Sequence, residues 1–186
     1  RFLAAGRAGL PARRAGGGIN AVILNNSTAN AVYTALSPSI VTPGTTTFGT
    51  VVLTGAAAPA FNLFDCTVKS FQYQATVDAD LPALPPLLRI YWQAGTSTGT
   101  FFTQTLNAIF LLGTSADPDE FDDDIVLHEI GHWVAFNFSK DDTLGGPHSV
   151  VDQLDPRTSW SEGWAHYWSA TVRRFFGSEY ASPQTQ

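Results

Sequence analysis

The chain is predicted to be an α+β protein, with a β-rich segment over residues 1–59 and a unit of strands and helices over residues 60–186. Three observations carry that expectation. Hydrophobic residues make up 44% and charged residues 14% of 186 positions, enough apolar material for a packed core and too little charge for a disordered chain. From Ala15 to Phe64 there is no charged residue; Thr, Val, Ala and Gly dominate, with turn signals at Ser37-Pro38 and Pro43-Gly44. Beyond residue 60 the apolar spacing turns helical, and Asp-Pro pairs mark helix starts.

Taken in order, Val32 to Leu36 and Thr47 to Leu53 read as short strands. Phe61, Phe64, Val68, Phe71 and Ala75 recur every three or four residues, which predicts an amphipathic helix over Ala60 to Thr76. A Pro-broken linker, Leu81 to Pro86, leads to two further strands, Leu87 to Trp92 and Phe101 to Leu112. Asp117 is expected to cap the next helix, with Pro118 in its first turn and Glu120 completing a capping box. That helix runs to about Phe138, followed by a Gly-rich loop over Asp141 to His148. Asp155-Pro156 opens a last helix that stops near Gly177. The aromatic set Trp133, Phe136, Phe138, Trp160, Trp164, Trp168, Phe175 and Phe176 is spaced as helix core.

Composition also excludes classes. The net charge of -6 argues against a nucleic-acid partner, which favours a basic face. No apolar run approaches the ~20 residues of a membrane-spanning helix. Cys66 is the single cysteine, so neither an internal disulfide nor a cysteine-built zinc site is available. The chain opens at Arg1 and has no methionine, which reads as a processed product or a fragment. The acidic run Asp117, Asp119, Glu120, Asp122, Asp123 and Asp124 lacks the calcium-loop pattern, so helix-dipole matching is its default reading; calcium is possible but not predicted.

The chemistry concentrates in His128-Glu129-Ile130-Gly131-His132, the pattern H-E-x-x-H on a predicted helix. Residues four apart lie on one helix face, so both imidazoles can address one ion, with a glutamate beside them to take a proton from water. Random placement of this composition yields the pattern about 0.002 times per chain, so coincidence is a poor account of it. A catalytic zinc needs a third protein ligand and an open position. Glu162 is the first candidate; His148, His166, Asp152 and Asp155 compete with it, although Asp155 also looks like a helix cap. A metzincin is excluded, because Ala135 and Phe138 stand where its glycine and third histidine would be.

The segment Ser161-Glu162-Gly163-Trp164-Ala165 resembles the N-E-G-F-A-type sequence of the gluzincins, the zinc metallopeptidase group that includes thermolysin. The resemblance spans roughly Leu106 to Phe176. It implies a zincin-like catalytic domain, one zinc ion held by His128, His132 and Glu162, and Glu129 as general base acting on a zinc-bound water. Two departures stand out. The gap from His132 to Glu162 is longer than usual in that group. His166 replaces the aspartate that often supports a zinc histidine, leaving Asp124, one turn before His128, as a substitute support.

An oxyanion donor besides the metal is expected from His148, Tyr167, His166 or Arg157, with His148 first because it sits on a Gly loop; the plain alternative for His148 is a surface residue. Leu106 to Leu112 could offer a sheet edge to an extended peptide. The aminopeptidase-type G-x-M-E-N strand is missing at Asn107 to Thr114, which favours internal cleavage. The expected function is therefore a zinc endopeptidase acting on protein or peptide substrates, secreted or at the cell surface of a bacterium. The alternative is a non-catalytic binding or assembly module of a larger exported protein that keeps a zinc site, and further domains of a parent chain are possible partners.

Overall fold

The structure, a computed structural model, describes residues 2–3, 5–9, 18–26, 29–35, 54–55, 57–78, 80–82, 84–149 and 151–177. Its strands are β1 (Phe2–Leu3), β2 (Ala5–Gly9), β3 (Gly18–Asn25), β4 (Ala31–Val32), β5 (Thr34–Ala35), β6 (Leu88–Tyr91), β7 (Phe101–Thr103) and β8 (Ala108–Phe110). Three helices accompany them: α1 (Ala57–Val77), α2 (Asp123–Phe138) and α3 (Pro156–Phe176). The architecture is α+β with a mixed sheet. The sheet runs β2-β3-β6-β8-β7, with β4 also paired to β3, while β1 and β5 form a separate pair. β3, β6 and β8 are mutually parallel, and the two outer pairings, β2 with β3 and β7 with β8, are antiparallel.

Alternation explains the sheet. Ile19, Ala21 and Ile23 on β3 and Leu88 and Ile90 on β6 are buried, two residues apart, as one covered face requires. α1 covers β3, and α2 lies against β7 and β8. The most buried positions of α1, among them Ala60, Leu63, Cys66, Thr67, Ser70, Phe71 and Gln74, lie about one residue before the expected stripe. Of that stripe only Phe71 is buried, while Phe61, Phe64, Val68 and Ala75 are half-buried, and the helix extends slightly beyond the predicted bounds. α3 packs on α2 and α1, where Trp168 donates its indole N–H to Ser70 Oγ at 2.9 Å.

Gly131 explains how closely α2 and α3 approach. A Cβ there would sit 2.9 Å from Ala165 Cα and 3.0 Å from Trp168 Cβ. The Trp164 indole N–H also donates to the Gly131 carbonyl at 3.0 Å, so the contact is both steric and polar. This short separation brings Glu162 of α3 beside the histidines of α2.

Several expectations are corrected. The α2 cap is Asp122, not Asp117: its carboxylate accepts from the N–H groups of Asp124 and Ile125, while Asp119–Phe121 form a separate single turn. Phe101 to Leu112 is a hairpin rather than one strand, because the chain turns at Gln104 to Asn107, where Asn107 adopts φ +47°. Among the described residues β7 ends the sheet on this side, and the Leu106–Leu112 region supplies an inner strand, β8. Strands from both sides of residue 59 share one sheet, since β3 pairs in parallel with β6 and β2 pairs antiparallel with β3. Within the strand expected at Val32 to Leu36, the structure has β4 and β5 and Leu36 lies outside the described residues, as does all of Thr47 to Leu53. The aromatic set divides: Trp133 and Trp168 are buried, but Trp160 and Phe175 are exposed. Asp155 caps α3 as expected, accepting from Arg157 N–H, and Gly177 ends the helix at φ +52°.

Candidate metal centre

His128 and His132 are four residues apart on α2, and Glu162 faces them from the second turn of α3. His128 Nε2 lies 3.1 Å from Glu162 Oε2, His132 Nε2 lies 3.3 Å from Glu162 Oε1, and the two Nε2 atoms are 3.1 Å apart. One ligand atom from each of these three residues falls within 4.8 Å of the others. Tetrahedral ligands at ~2.0–2.1 Å from an ion stand about 3.3 Å from each other. The three separations are near that spacing, with the two imidazoles each meeting a different oxygen of the Glu162 carboxylate, and imidazole nitrogen with carboxylate oxygen is a donor set that suits zinc.

The imidazoles also set the charge state of Glu162. Burial pushes its carboxyl up, but hydrogen bonds from His128 and His132 outweigh burial and hold it well below the usual carboxylate range. Glu129 is different. It is buried, and burial raises its pKa above 4.5, against the pull of His132, His128 and the Phe102 backbone N–H. The two glutamates therefore divide the work: one is held as an anion among cation-binding groups, while the other is a carboxylate with heightened affinity for a proton.

The histidine surroundings are unequal. His132 Nδ1 lies 3.2 Å from Ser161 Oγ, and the Ser161 hydroxyl donates to Asp141 Oδ2 at 3.1 Å. His128 Nδ1 is buried and has no hydrogen-bond partner among the described residues. His166 packs its ring edge-on to His128, with centroids 4.4 Å apart, and burial beside His128 pushes its own pKa down. Asp124 does not support His128: its carboxylate accepts from Ser169 Oγ and pairs with Arg173.

His148 reaches the site. Its Nε2 lies 3.2 Å from Glu162 Oε1, and its Nδ1 is held 2.9 Å from the Gly146 carbonyl, with Gly145 and Gly146 at positive φ allowing the loop to turn inward. Tyr167 does not: it points to solvent, 56% exposed, with its ring against Trp164. The reason is angular. Tyr167 lies five residues after Glu162, about 140° around the helix from the metal-facing side. Arg157 is likewise outside, paired with Asp155 at the start of α3. Asp152 accepts from the Ser149 N–H in the loop and stays apart from the ligand group.

Two adjoining cavities of about 800 and 820 Å³ open onto this cluster, sharing Thr100, His128, Glu129, His148 and Glu162 as walls. Strand β7 lines the second. Sequence reasoning missed Ser161 and Asp141. Ser161 stands directly before Glu162, which is the one signal that could have drawn notice to it. Among the described residues, no helix is long and apolar enough to cross a membrane.

Together the sheet, the paired helices and this cluster belong to a peptidase-associated module. Residues 85–180, more than half of the chain, match the Mycolysin C-terminal domain family, and the chain belongs to that family. The matched stretch contains β6, β7, β8, α2 and α3, and with them His128, Glu129, His132, Asp141, His148, Ser161 and Glu162. No curated protein and no solved structure matches the chain.

Proposed function

We propose that the chain is a zincin-like domain that hydrolyses internal peptide bonds of protein or peptide substrates, with one zinc ion held by His128, His132 and Glu162. The supporting observation is the convergence of His128 Nε2, His132 Nε2 and the two Glu162 carboxylate oxygens, with neighbouring atoms 3.1 to 3.3 Å apart, beside a buried glutamate of raised proton affinity. A zinc ion in such a site supplies Lewis-acid polarisation of a carbonyl and lowers the pKa of water toward ~7. Glu129 accepts the proton from the attacking water on its carboxylate and returns it to the leaving amine. His148, on its glycine-hinged loop, holds Nδ1–H on the Gly146 carbonyl and turns Nε2 into the cleft, where it can donate to a developing oxyanion only when both ring nitrogens carry a proton. The outer edge of β7 offers main-chain groups to an extended peptide lying along the cleft. A secreted or cell-surface location in a bacterium is supported by the match to a protease-related domain family.

A second reading is favoured by one observation. The matching family is described as a C-terminal domain, and residues 1–84 lie outside the match. On that reading the chain is a binding or assembly module of a larger exported protease, and its zinc site serves folding. A casein or peptide-library assay comparing wild type with Glu129→Gln separates the two. Hydrolysis by wild type that the variant loses, with zinc retained in both, supports the enzyme; no hydrolysis by either supports the module.

A further inference from the structure

Around the metal-facing cluster, one set of contacts has no part in the reading above. The loop after α2 is fastened to the start of α3 at two points. The Asp141 carboxylate accepts the Ser161 hydroxyl at 3.1 Å and the Thr143 N–H at 3.2 Å. The Thr143 hydroxyl donates to Thr158 Oγ1 at 3.1 Å and accepts the Gly145 N–H at 3.2 Å. Ser161 is wholly buried, so its hydroxyl has no bulk water to bond and depends on these partners. On its other side it meets His132 Nδ1 at 3.2 Å.

We infer that Asp141 is a positioning residue that orients the His132 imidazole through the Ser161 hydroxyl. The inference rests on the proposed ligand role of His132. With Nε2 turned toward an ion, Nδ1 must carry the ring proton, and it donates to Ser161 Oγ. The Ser161 hydroxyl is then free to donate to Asp141 Oδ2, so every proton in the chain has one acceptor. The arrangement is a carboxylate–histidine support with a serine inserted, which lets a residue from a loop act on a helix-borne ligand. His128 has no such chain, its Nδ1 being without a partner among the described residues. The orientation of the ligand pair is thus anchored from the His132 side.

The test is zinc affinity, by competition with a chromophoric chelator, for wild type, Ser161→Ala, Asp141→Ala and the double variant, together with the visible spectrum of each cobalt-loaded protein. Supporting outcomes of outer ligand loss are typically 10–100-fold in metal affinity. Each single variant is expected to lose affinity on that scale and to alter the cobalt spectrum, while metal-free melting stays close to wild type. Because the two groups act in series, the double variant should bind no more weakly than Ser161→Ala. If Asp141→Ala fails to fold, Asp141→Asn, which keeps the shape and removes the charge, is measured in its place. Affinity of the Asp141 variant within twofold of wild type overturns the inference, as do losses that multiply in the double variant. Wild type that binds no zinc at all overturns the metal reading itself and this role with it, an outcome distinct from a tight-binding Asp141 variant.

Discussion

Two acidic regions of the molecule behave in opposite ways. The turn from Asp117 to Asp124 carries six carboxylates, and four of them are engaged within the protein. Asp122 caps α2, Asp119 accepts from Thr100 Oγ1, Asp123 holds the Asn62 amide and the Cys66 thiol, and Asp124 pairs with Ser169 and Arg173. The α2–α3 cleft carries only Glu129 and Glu162 at the histidines, but there the donor atoms turn toward one another at ligand-like spacings. Acid density therefore says little about a metal site. What matters is whether donors have already found partners within the fold or converge on a common point.

That contrast predicts a division of phenotypes. In the cleft, Glu129→Gln should lower peptide hydrolysis by about 10²–10⁴-fold, the usual worth of a general base, with one zinc per chain retained. In the acidic turn, Asp122→Ala should destabilise the fold by about 1 kcal/mol through loss of the α2 cap, with zinc content unchanged, read by chemical denaturation and metal analysis. Asp124→Ala should cost less than ~1 kcal/mol, because its pairing with Arg173 is partly exposed, and should leave zinc binding intact. Zinc loss in either Asp variant would erase the distinction between the two regions.

The pH dependence sharpens it further. Burial raises the Glu129 pKa in the folded chain above its ordinary 4.5. An acid whose pKa is raised by folding favours the folded state when protonated, and that contribution fades as pH climbs through 4.5 toward the folded value. In metal-free protein, the melting temperature of Glu129→Gln relative to wild type should therefore rise over that window and level off above it. A constant difference between pH 4 and pH 8 would show that Glu129 ionises without cost.

The legible part of the site was the part written in one helix. His128 and His132 follow from the helical period, and their shared direction holds in the structure. Glu162 was legible because the segment around it resembles a known pattern, and Gly131 because a helix interior glycine demands a close neighbour, here Ala165. Contacts across the chain were not legible. The Ser161–Asp141 pair joins a helix to a loop, and no periodicity marks it. The parallel pairing of β3 with β6 brings residues 21–24 against residues 88–91 across a long separation, so composition alone suggested a boundary where the sheet is continuous. The helix start was misplaced for another reason: several acids in succession can each cap, and only the backbone path decides that Asp122 does. Tyr167 lies close to Glu162 in sequence, but the helical turn carries its ring to the solvent side.

The central claim is that two imidazoles of α2 and the α3 carboxylate bind a single zinc ion. Metal analysis of purified wild type, Glu162→Ala and His148→Ala tests it most directly. The account predicts one zinc per chain in wild type and His148→Ala and none in Glu162→Ala; full zinc in Glu162→Ala with its loss from His148→Ala would contradict it.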